Sequence, residues 1–180
     1  MPDKKVLREA AILRRRQRPD QERAAAGDAL AVALRDVLTS ATRVAAYVAV
    51  GVEPPTGPLL AHCRSVLLPV LRSDNDLDWA VAGELATGPR GLLEPIGPRL
   101  GLDAVAECDV VLVPALSVDR VGNRLGRGGG SYDRALRRVR GLTIALLYDG
   151  ELADDLPTEP HDMPVTAVVT PSYGLQRLRP

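Results

Sequence analysis

The chain has 180 residues, a length that fits one domain with a real hydrophobic core. It carries 23 basic and 23 acidic residues, so no net charge attracts it to nucleic acid or to a membrane surface. Phe is absent and aromatic residues make up only 3%, so the core must be built from Val, Leu, Ile and Ala, as in buried parallel strands covered by helices.

The sequence indicates neither a targeting segment nor a disulfide framework. No apolar run approaches the length of a membrane span, and the N-terminus carries no apolar signal region. Cys63 and Cys108 match neither a metal-ligand spacing nor C-x-x-C, so we expect buried free thiols. These features predict a cytoplasmic protein that needs neither a membrane nor a nucleic acid.

Hydrophobic periodicity predicts two N-terminal helices, followed by strands that alternate with short helices. The helices are expected over 3–18 and 19–38, with Pro19 between them. The predicted strands are 44–50, 66–71, 77–82, 109–114, 142–147 and 165–169, and the predicted later helical segments are 58–64, 102–107 and 131–140. The Gly- and Pro-rich segment 83–100 is expected to be a surface loop with little regular structure, and 149–163 a long functional loop.

This alternation predicts an α/β fold, a three-layer, open, mostly parallel sheet with helices on both faces. We expect a single domain over 1–180, in which helices within 3–39 pack on a sheet within 43–170. Ligands of such sheets bind outside the carboxyl ends of the strands. Three marked segments, 51–56, 118–133 and 149–162, follow predicted strands and are expected to form one crevice.

The most distinctive stretch is 124–134, R-L-G-R-G-G-G-S-Y-D-R. Glycines permit positive φ and leave N–H groups free to converge on an anion. Arg124 and Arg127 add planar forks that fit phosphate oxygens, and a helix beginning at Ser131 would direct its N-terminus at the same anion. Asp133 could bind a hard cation such as magnesium. An ordinary glycine loop is the alternative, but two arginines and an aspartate in register favour a phosphate site.

Common nucleotide and nucleophile motifs do not fit this stretch. A Walker A loop requires Lys directly after Gly, and no Gly here is followed by Lys. A dinucleotide fingerprint read from Gly126 places Ser131 where the third Gly should stand. G-x-S-x-G is absent, and neither His62 nor His161 has a Ser or Cys partner at a recognisable spacing.

The stretch and its flanks resemble the signature of the 5-formyltetrahydrofolate cyclo-ligase family. The matching segments are D-V-V-L-V-P-A-L at 109–116, Asp119 and G-N-R-L-G-R-G-G-G-S-Y-D-R at 122–134. Weaker matches in the same order are K-K-V-L-R at 4–8, E-P-P-T at 53–56, L-P at 156–157, E-P-H-D at 159–162 and V-V-T at 168–170. The resemblance therefore extends over nearly the whole chain.

The resemblance implies an enzyme that uses ATP, with Mg²⁺, to cyclise 5-formyltetrahydrofolate to 5,10-methenyltetrahydrofolate. The residues that it assigns to ATP are Lys4, Arg8, Arg124, Leu125, Gly126, Arg127, Gly128, Gly129, Gly130, Ser131 and Tyr132. The residues that it assigns to the folate are Val48, Glu53, Arg127, Gly128, Gly129, Gly130 and Ser131. Arg127 is the candidate catalytic residue, and Asp133 and Asp162 are the candidate metal carboxylates; a monomer is expected.

Each of these roles competes with a simpler one. Lys4 and Arg8 lie one turn apart on one helix face, which elsewhere would suggest a solvated basic surface. Val48 could be core, and Asp162 on its own would be taken for a loop aspartate. An arginine of the stretch could pair structurally with Asp119 or Asp133, which we expect for Arg134 but not for Arg127.

Three positions depart from the family pattern. Ser131 stands where many relatives have Tyr, which removes an aromatic contact, and Val118 replaces an aromatic residue. Glu151 stands where relatives often have Gln, so we expect it to alter a polar substrate contact. Two other functions stay open at this point: a sugar-phosphate or acyl-CoA enzyme of similar architecture, and a non-catalytic nucleotide or nucleic-acid binder suggested by the arginines at 14–18.

Overall fold

A computed structural model describes residues 3–178. Its helices are α1 (Lys4–Arg16), α2 (Asp20–Ser40), α3 (Gly57–Leu60) and α4 (Ser131–Leu136), with 3-10 turns at Pro89–Gly91 and Leu102–Glu107. Its strands are β1 (Val44–Ala45), β2 (Val66–Leu71), β3 (Leu77–Val81), β4 (Leu85–Thr87), β5 (Leu93–Pro95), β6 (Val110–Pro114), β7 (Ser117–Asp119), β8 (Arg124–Leu125), β9 (Leu142–Leu146), β10 (Leu152–Ala153), β11 (Ala167–Thr170) and β12 (Gly174–Arg177). None of the helices within this range is long and apolar enough to cross a bilayer.

Seven strands form the main sheet in the order β12-β11-β9-β6-β1-β2-β3. The five inner strands run parallel, whereas β3 and β12 pair antiparallel at the two edges. The predicted fold class, a mostly parallel sheet between helices, is confirmed. The smaller β10-β7-β8 sheet carries the chain from β6 toward the glycine stretch.

Alternate residues of the strands supply two cores, one on each face of the sheet. On β6, Val110 and Leu112 pack with α2 and α3, while Val111 and Val113 pack with α4 and the 3-10 turn at Leu102–Glu107. Burial on both faces explains why these strands appear in the sequence as continuous apolar runs. Cys108 is buried and Cys63 half-buried, and both are free thiols as expected.

The central strand β1 is much shorter than the predicted strand 44–50. Beyond Ala45, the N–H of Ala49 donates to Oγ1 of Thr56 at 3.0 Å, and the N–H of Val50 donates to Oε2 of Glu53 at 2.9 Å. Because side chains take these donors, the backbone leaves the sheet ladder at its carboxyl edge. The departure opens space between the neighbouring strands, where the cavity described below lies.

Three further differences concern element ends and short strands. The segment 83–100 is not irregular, since it contains the β4–β5 hairpin. The helix predicted over 131–140 ends at Leu136, and hydrogen bonds between residues three apart continue as tighter turns to Val139. The sheet also has a last strand, β12, which begins at Gly174 with positive φ and was not predicted.

A buried ion pair holds α1 against the sheet. Arg15 Nε and Nη2 donate to the two carboxylate oxygens of Glu151, each at 2.7 Å, and Nη2 also donates to the carbonyl oxygen of Ala115 at 2.6 Å. Glu151 Oε2 accepts a further bond from the N–H of Tyr148 at 2.9 Å. Glu151 is thus a structural residue that does not line the cavity, which corrects the expectation that it contacts substrate.

We expect Glu151→Gln to lower the free energy of unfolding by about 3 kcal/mol, because it leaves the Arg15 charge buried without a counter-charge. The double variant Arg15→Met/Glu151→Gln should recover part of this loss, since it removes both charges. Urea unfolding of the wild type and these variants measures both effects.

The matched control is Asp154→Asn, which removes an exposed ion pair with Arg120 and should change stability little. Equal losses for Glu151→Gln and Asp154→Asn would contradict a structural role for the buried pair.

Candidate active site

A cavity of about 370 Å³ lies at the carboxyl edge of the parallel strands. Its walls come from α1, the segment after β1, the ends of β2, β3 and β6, the glycine stretch and the β4–β5 hairpin. Glu53, residues 126–133 and Asp162 all line it, so the three segments predicted to meet do converge. Its lining combines the charged groups of α1 and the glycine stretch with apolar side chains of β2, β3 and the hairpin.

Guanidinium groups lie against each glycine of the stretch, where a side chain would otherwise be. The nearest groups to a Cβ built on each glycine are Arg124 Nη1 at Gly126 (2.5 Å), Arg8 Cζ at Gly128 (3.3 Å), Arg90 Nη1 at Gly129 (3.2 Å) and Arg134 Nη1 at Gly130 (3.1 Å). Gly128 and Gly130 also have positive φ, which a side chain would strain. The glycines therefore permit both the backbone path and the close approach of the arginines.

Arg124 is a buried member of this group. Its Nη2 donates to Oδ1 of Asp133 at 2.9 Å, and its Cζ lies 6.0 Å from the ring centroid of Tyr132. Arg134, which we expected to pair with an aspartate, has no carboxylate within 4.0 Å among residues 3–178, so that expectation is wrong. Arg124 instead forms the structural pair with Asp133.

Arg127 and Glu53 form the second ion pair of the cavity. Arg127 Nε lies 3.1 Å from Oε1 of Glu53, whose other oxygen accepts from the N–H of Val50. Glu53 is buried, whereas half of the Arg127 side chain is exposed. The pair ties the exposed arginine to the end of the central strand, and its guanidinium keeps nitrogen atoms free to face a ligand.

Lys4 and Arg8 reach the site from α1. Lys4 Nζ donates to Oδ2 of Asp162 at 2.5 Å and to Oε2 of Glu159 at 3.1 Å, and Arg8 Nε donates to the carbonyl oxygen of Gly126 at 2.9 Å. Although burial opposes it, the hydrogen bonds and the positive charge from Lys4 lower the pKa of Asp162. Asp162 therefore stays ionised in this corner of the cavity.

The two predicted metal carboxylates line the same cavity and each keeps an oxygen atom available. Asp133 uses Oδ1 for Arg124 and for the N–H of Met163, and Asp162 uses Oδ2 for Lys4 and for the N–H of Glu159. Within residues 3–178 no hydrogen bond reaches Oδ2 of Asp133. Carboxylate oxygens are the ligands that magnesium prefers, so Oδ2 of Asp133 and Oδ1 of Asp162 are donors of the type that fits such an ion.

The other predicted contacts divide into two groups. Val48, Ser131 and Tyr132 line the cavity, and the Tyr132 hydroxyl is buried with no hydrogen-bond partner in the described part of the chain. Burial and the nearby Glu53 charge raise the pKa of Tyr132, so it remains a neutral donor. Leu125, predicted to contact nucleotide, instead packs in a core cluster with Leu116 and does not line the cavity.

Sequence reasoning missed the apolar lining of the cavity and two of its arginines, the structural Arg15 and Arg90. The residues concerned are Arg15, Tyr47, Pro69, Leu71, Leu77, Arg90, Leu92, Leu93 and Glu94. The strand residues among them were predicted, but only as core. Arg90 carries no sequence signal, because its position depends on a hairpin within a segment that composition marks as irregular.

Comparisons with known proteins identify the family of the chain. A model of the 5-formyltetrahydrofolate cyclo-ligase family matches residues 1–171. A 5-formyltetrahydrofolate cyclo-ligase of Mycolicibacterium smegmatis is 42% identical over 98% of this chain and 97% of its own, and that of Escherichia coli K12 is 31% identical over 72% of this chain and 78% of its own.

Solved structures show the same fold. The 5,10-methenyltetrahydrofolate synthetase of Aquifex aeolicus superposes with a TM-score of 0.79 at 28% identity, over 98% of this chain and 93% of its own. The 5,10-methenyltetrahydrofolate synthetase of Mycoplasma pneumoniae gives a TM-score of 0.74 at 18% identity, over 93% of this chain and 98% of its own. This second likeness supports the fold alone. Together with the family match over residues 1–171, these likenesses show that the chain belongs to the 5-formyltetrahydrofolate cyclo-ligase family, a family of ligases.

Proposed function

We propose that this protein converts 5-formyltetrahydrofolate to 5,10-methenyltetrahydrofolate while it cleaves ATP to ADP and phosphate. The observation that carries the proposal is the convergence of the glycine stretch, Glu53, α1 and Asp162 on one cavity in a chain of this family. We expect a monomer that acts in the cytoplasm, and both statements remain predictions.

The lining of the cavity offers groups that suit both substrates. Lys4, Arg8, Arg127 and the glycine N–H groups suit the phosphates of ATP. The apolar side chains of the lining suit the flat rings of a folate, and they are Pro69, Leu71, Leu77, Leu92 and Leu93. Tyr132 lies at the glycine stretch with an unpartnered buried hydroxyl, which a bound ligand would satisfy.

In the proposed reaction the formyl oxygen attacks the γ-phosphorus, and the bond from that phosphorus to the ADP oxygen breaks. The neighbouring amine nitrogen of the folate then attacks the formyl carbon. The carbon–oxygen bond to phosphate breaks, phosphate leaves, and the nitrogen loses its proton. Each step needs positioned substrates and neutralised charge rather than a protein nucleophile, which accords with a cavity built from arginines, N–H groups and carboxylates.

Arg127 is the residue best placed to stabilise charge on the transferred group. It is half-exposed at the cavity and held through Nε by Glu53, so the rest of its fork is free to meet phosphate oxygens. Arg124 is less suitable because it is buried and its Nη2 is engaged by Asp133. We therefore assign Arg124 to the support of the loop and Arg127 to catalysis.

Asp133 and Asp162 would hold a magnesium ion, using the oxygens that their hydrogen bonds leave available. Such an ion, when bound, would neutralise phosphate oxygens of the nucleotide. Arg124 positions the Asp133 carboxylate, and Lys4 positions that of Asp162. Lys4 would thereby contribute both to the metal carboxylate and to the charge near the phosphates.

The reaction is tested by mixing the protein with ATP, magnesium and 5-formyltetrahydrofolate and following the absorbance of the methenyl product. We expect product and ADP in equal amounts, no product without ATP, and loss of turnover when EDTA removes the metal. Absence of ATP-dependent product from folded protein would refute the proposed function. Turnover that persists in EDTA would refute only the metal assignment.

A second prediction concerns Arg127. Arg127→Ala should lower kcat by about 100-fold, since it removes a donor aimed at the negative charge that develops during phosphoryl transfer. The kcat of Arg127→Lys should lie between those of the alanine variant and the wild type. Steady-state kinetics with each substrate varied in turn separates kcat from KM.

The control is Arg137→Ala, which removes an exposed arginine outside the cavity and should keep wild-type kinetics. A variant at Arg127 with unchanged kcat and a raised KM for the folate alone would show that Arg127 binds folate rather than stabilising transfer.

A further inference from the structure

The β4–β5 hairpin is fixed to the sheet beside the cavity. Glu94 on β5 is buried, and its Oε1 accepts from the N–H of Leu71 at 2.8 Å, at the end of β2. A Cβ at Gly88 would collide with the Glu94 carboxylate, so the turn of the hairpin packs directly on this anchor. The residues at the tip therefore have a defined position relative to the glycine stretch.

Arg90 stands at this tip in a backbone conformation that side chains disfavour. Its φ is 59° and its ψ 21°, and Asn75 is the other non-glycine residue with positive φ among residues 3–178. The two are joined, because Arg90 Nη2 donates to Oδ1 of Asn75 at 2.6 Å. A strained residue held by a specific partner points to a role for its side chain.

The Arg90 guanidinium lies against the glycine stretch. Its Nη1 is 3.2 Å from a Cβ built on Gly129, and Arg8 holds the equivalent place at Gly128. Lys4, Arg124 and Arg127 each have a carboxylate partner, but neither Arg8 nor Arg90 has one within 4.0 Å among residues 3–178. Two guanidinium groups thus flank adjacent glycines without counter-charge.

We propose that Arg90 is a further substrate-binding residue, which grips with Arg8 an oxyanion seated on Gly128 and Gly129. The inference rests on the proposed function, because that function supplies the anion. A guanidinium fork binds phosphate and carboxylate oxygens alike, so the anion is either a phosphate of ATP or a carboxylate of the folate. Arg8 and Arg90 then act as two sides of one clamp, contributed by the N-terminal helix and by the hairpin.

Arg90→Gly tests the proposal, because it removes the guanidinium and at the same time relieves the positive φ. The variant should stay folded, with a thermal midpoint equal to or above that of the wild type. Loss of a charge-assisted contact should raise KM for one substrate about tenfold or more, and Arg90→Lys should raise it less. Arg99→Ala is the matched control, since it removes an exposed charge from the same segment but outside the cavity.

The two sources of the oxyanion give different results. A raised KM for ATP alone identifies a phosphate, and a raised KM for the folate, larger with a triglutamate than with a monoglutamate tail, identifies a carboxylate. If Arg90→Gly leaves the KM values of both substrates unchanged, the proposed role of Arg90 is overturned. The proposed function still stands in that case, because turnover by the wild type tests it separately.

Calorimetric titration tests the role of Arg90 independently of the proposed function. ATP and 5-formyltetrahydrofolate are each titrated into the wild type, Arg90→Gly and Arg99→Ala without turnover. The proposal is supported if one ligand binds more weakly to Arg90→Gly but not to Arg99→Ala. It is overturned if both ligands bind all three proteins with equal affinity, whether or not the wild type catalyses the reaction.

Discussion

The close approach of arginine side chains to a glycine backbone is the constraint on which the site depends. Arginines contributed by α1, the hairpin, β8 and α4 reach the stretch 126–130, and they can do so because no Cβ stands in their way. So many cations in one place repel one another unless charge is balanced. Glu53, Asp133 and Asp162 supply part of that balance, and anionic substrates would supply the rest.

The carboxylates of the cavity therefore have structural roles as well as the proposed chemical ones. Glu53 fixes Arg127 and also satisfies a backbone N–H where the central strand leaves the sheet. Asp133 fixes Arg124 and accepts from Met163, which connects the glycine stretch to the segment that carries Asp162. Replacing any of them would alter the shape of the cavity together with its charge.

Patterns that depend on local physics could be predicted from the sequence. Continuous apolar runs identified the buried parallel strands, because burial on both faces requires apolar residues at successive positions. Helical spacing identified α1 and α2, because a helix that buries one face carries its apolar residues in a stripe. Most residues that the family resemblance assigned to the site line the cavity, but local patterns alone did not single them out, since K-x-x-x-R at 4–8 is in itself an ordinary basic face.

The remainder depended on contacts that no periodicity encodes. The early end of β1 follows from side chains that bond to its backbone, and the place of Arg90 follows from a hairpin anchored by one buried glutamate. Glu151 was expected to alter a polar substrate contact because relatives often carry Gln there, but it pairs with Arg15, which lies 136 positions away in the sequence. Long-range ion pairs of this kind are visible only once the fold brings their members together.

The antiparallel strands at the two edges of the main sheet bear on how the chain folds. β2 with β3, and β11 with β12, join residues close in sequence, whereas the parallel pairs between them join distant segments, as β1 does with β6. Local pairs cost little loop entropy and can form early. They also cover the outer strands of the parallel core, whose exposed edges would otherwise offer a template for pairing with a second chain. The two antiparallel strands thus form the edges of the sheet, and the parallel core has no open edge of its own.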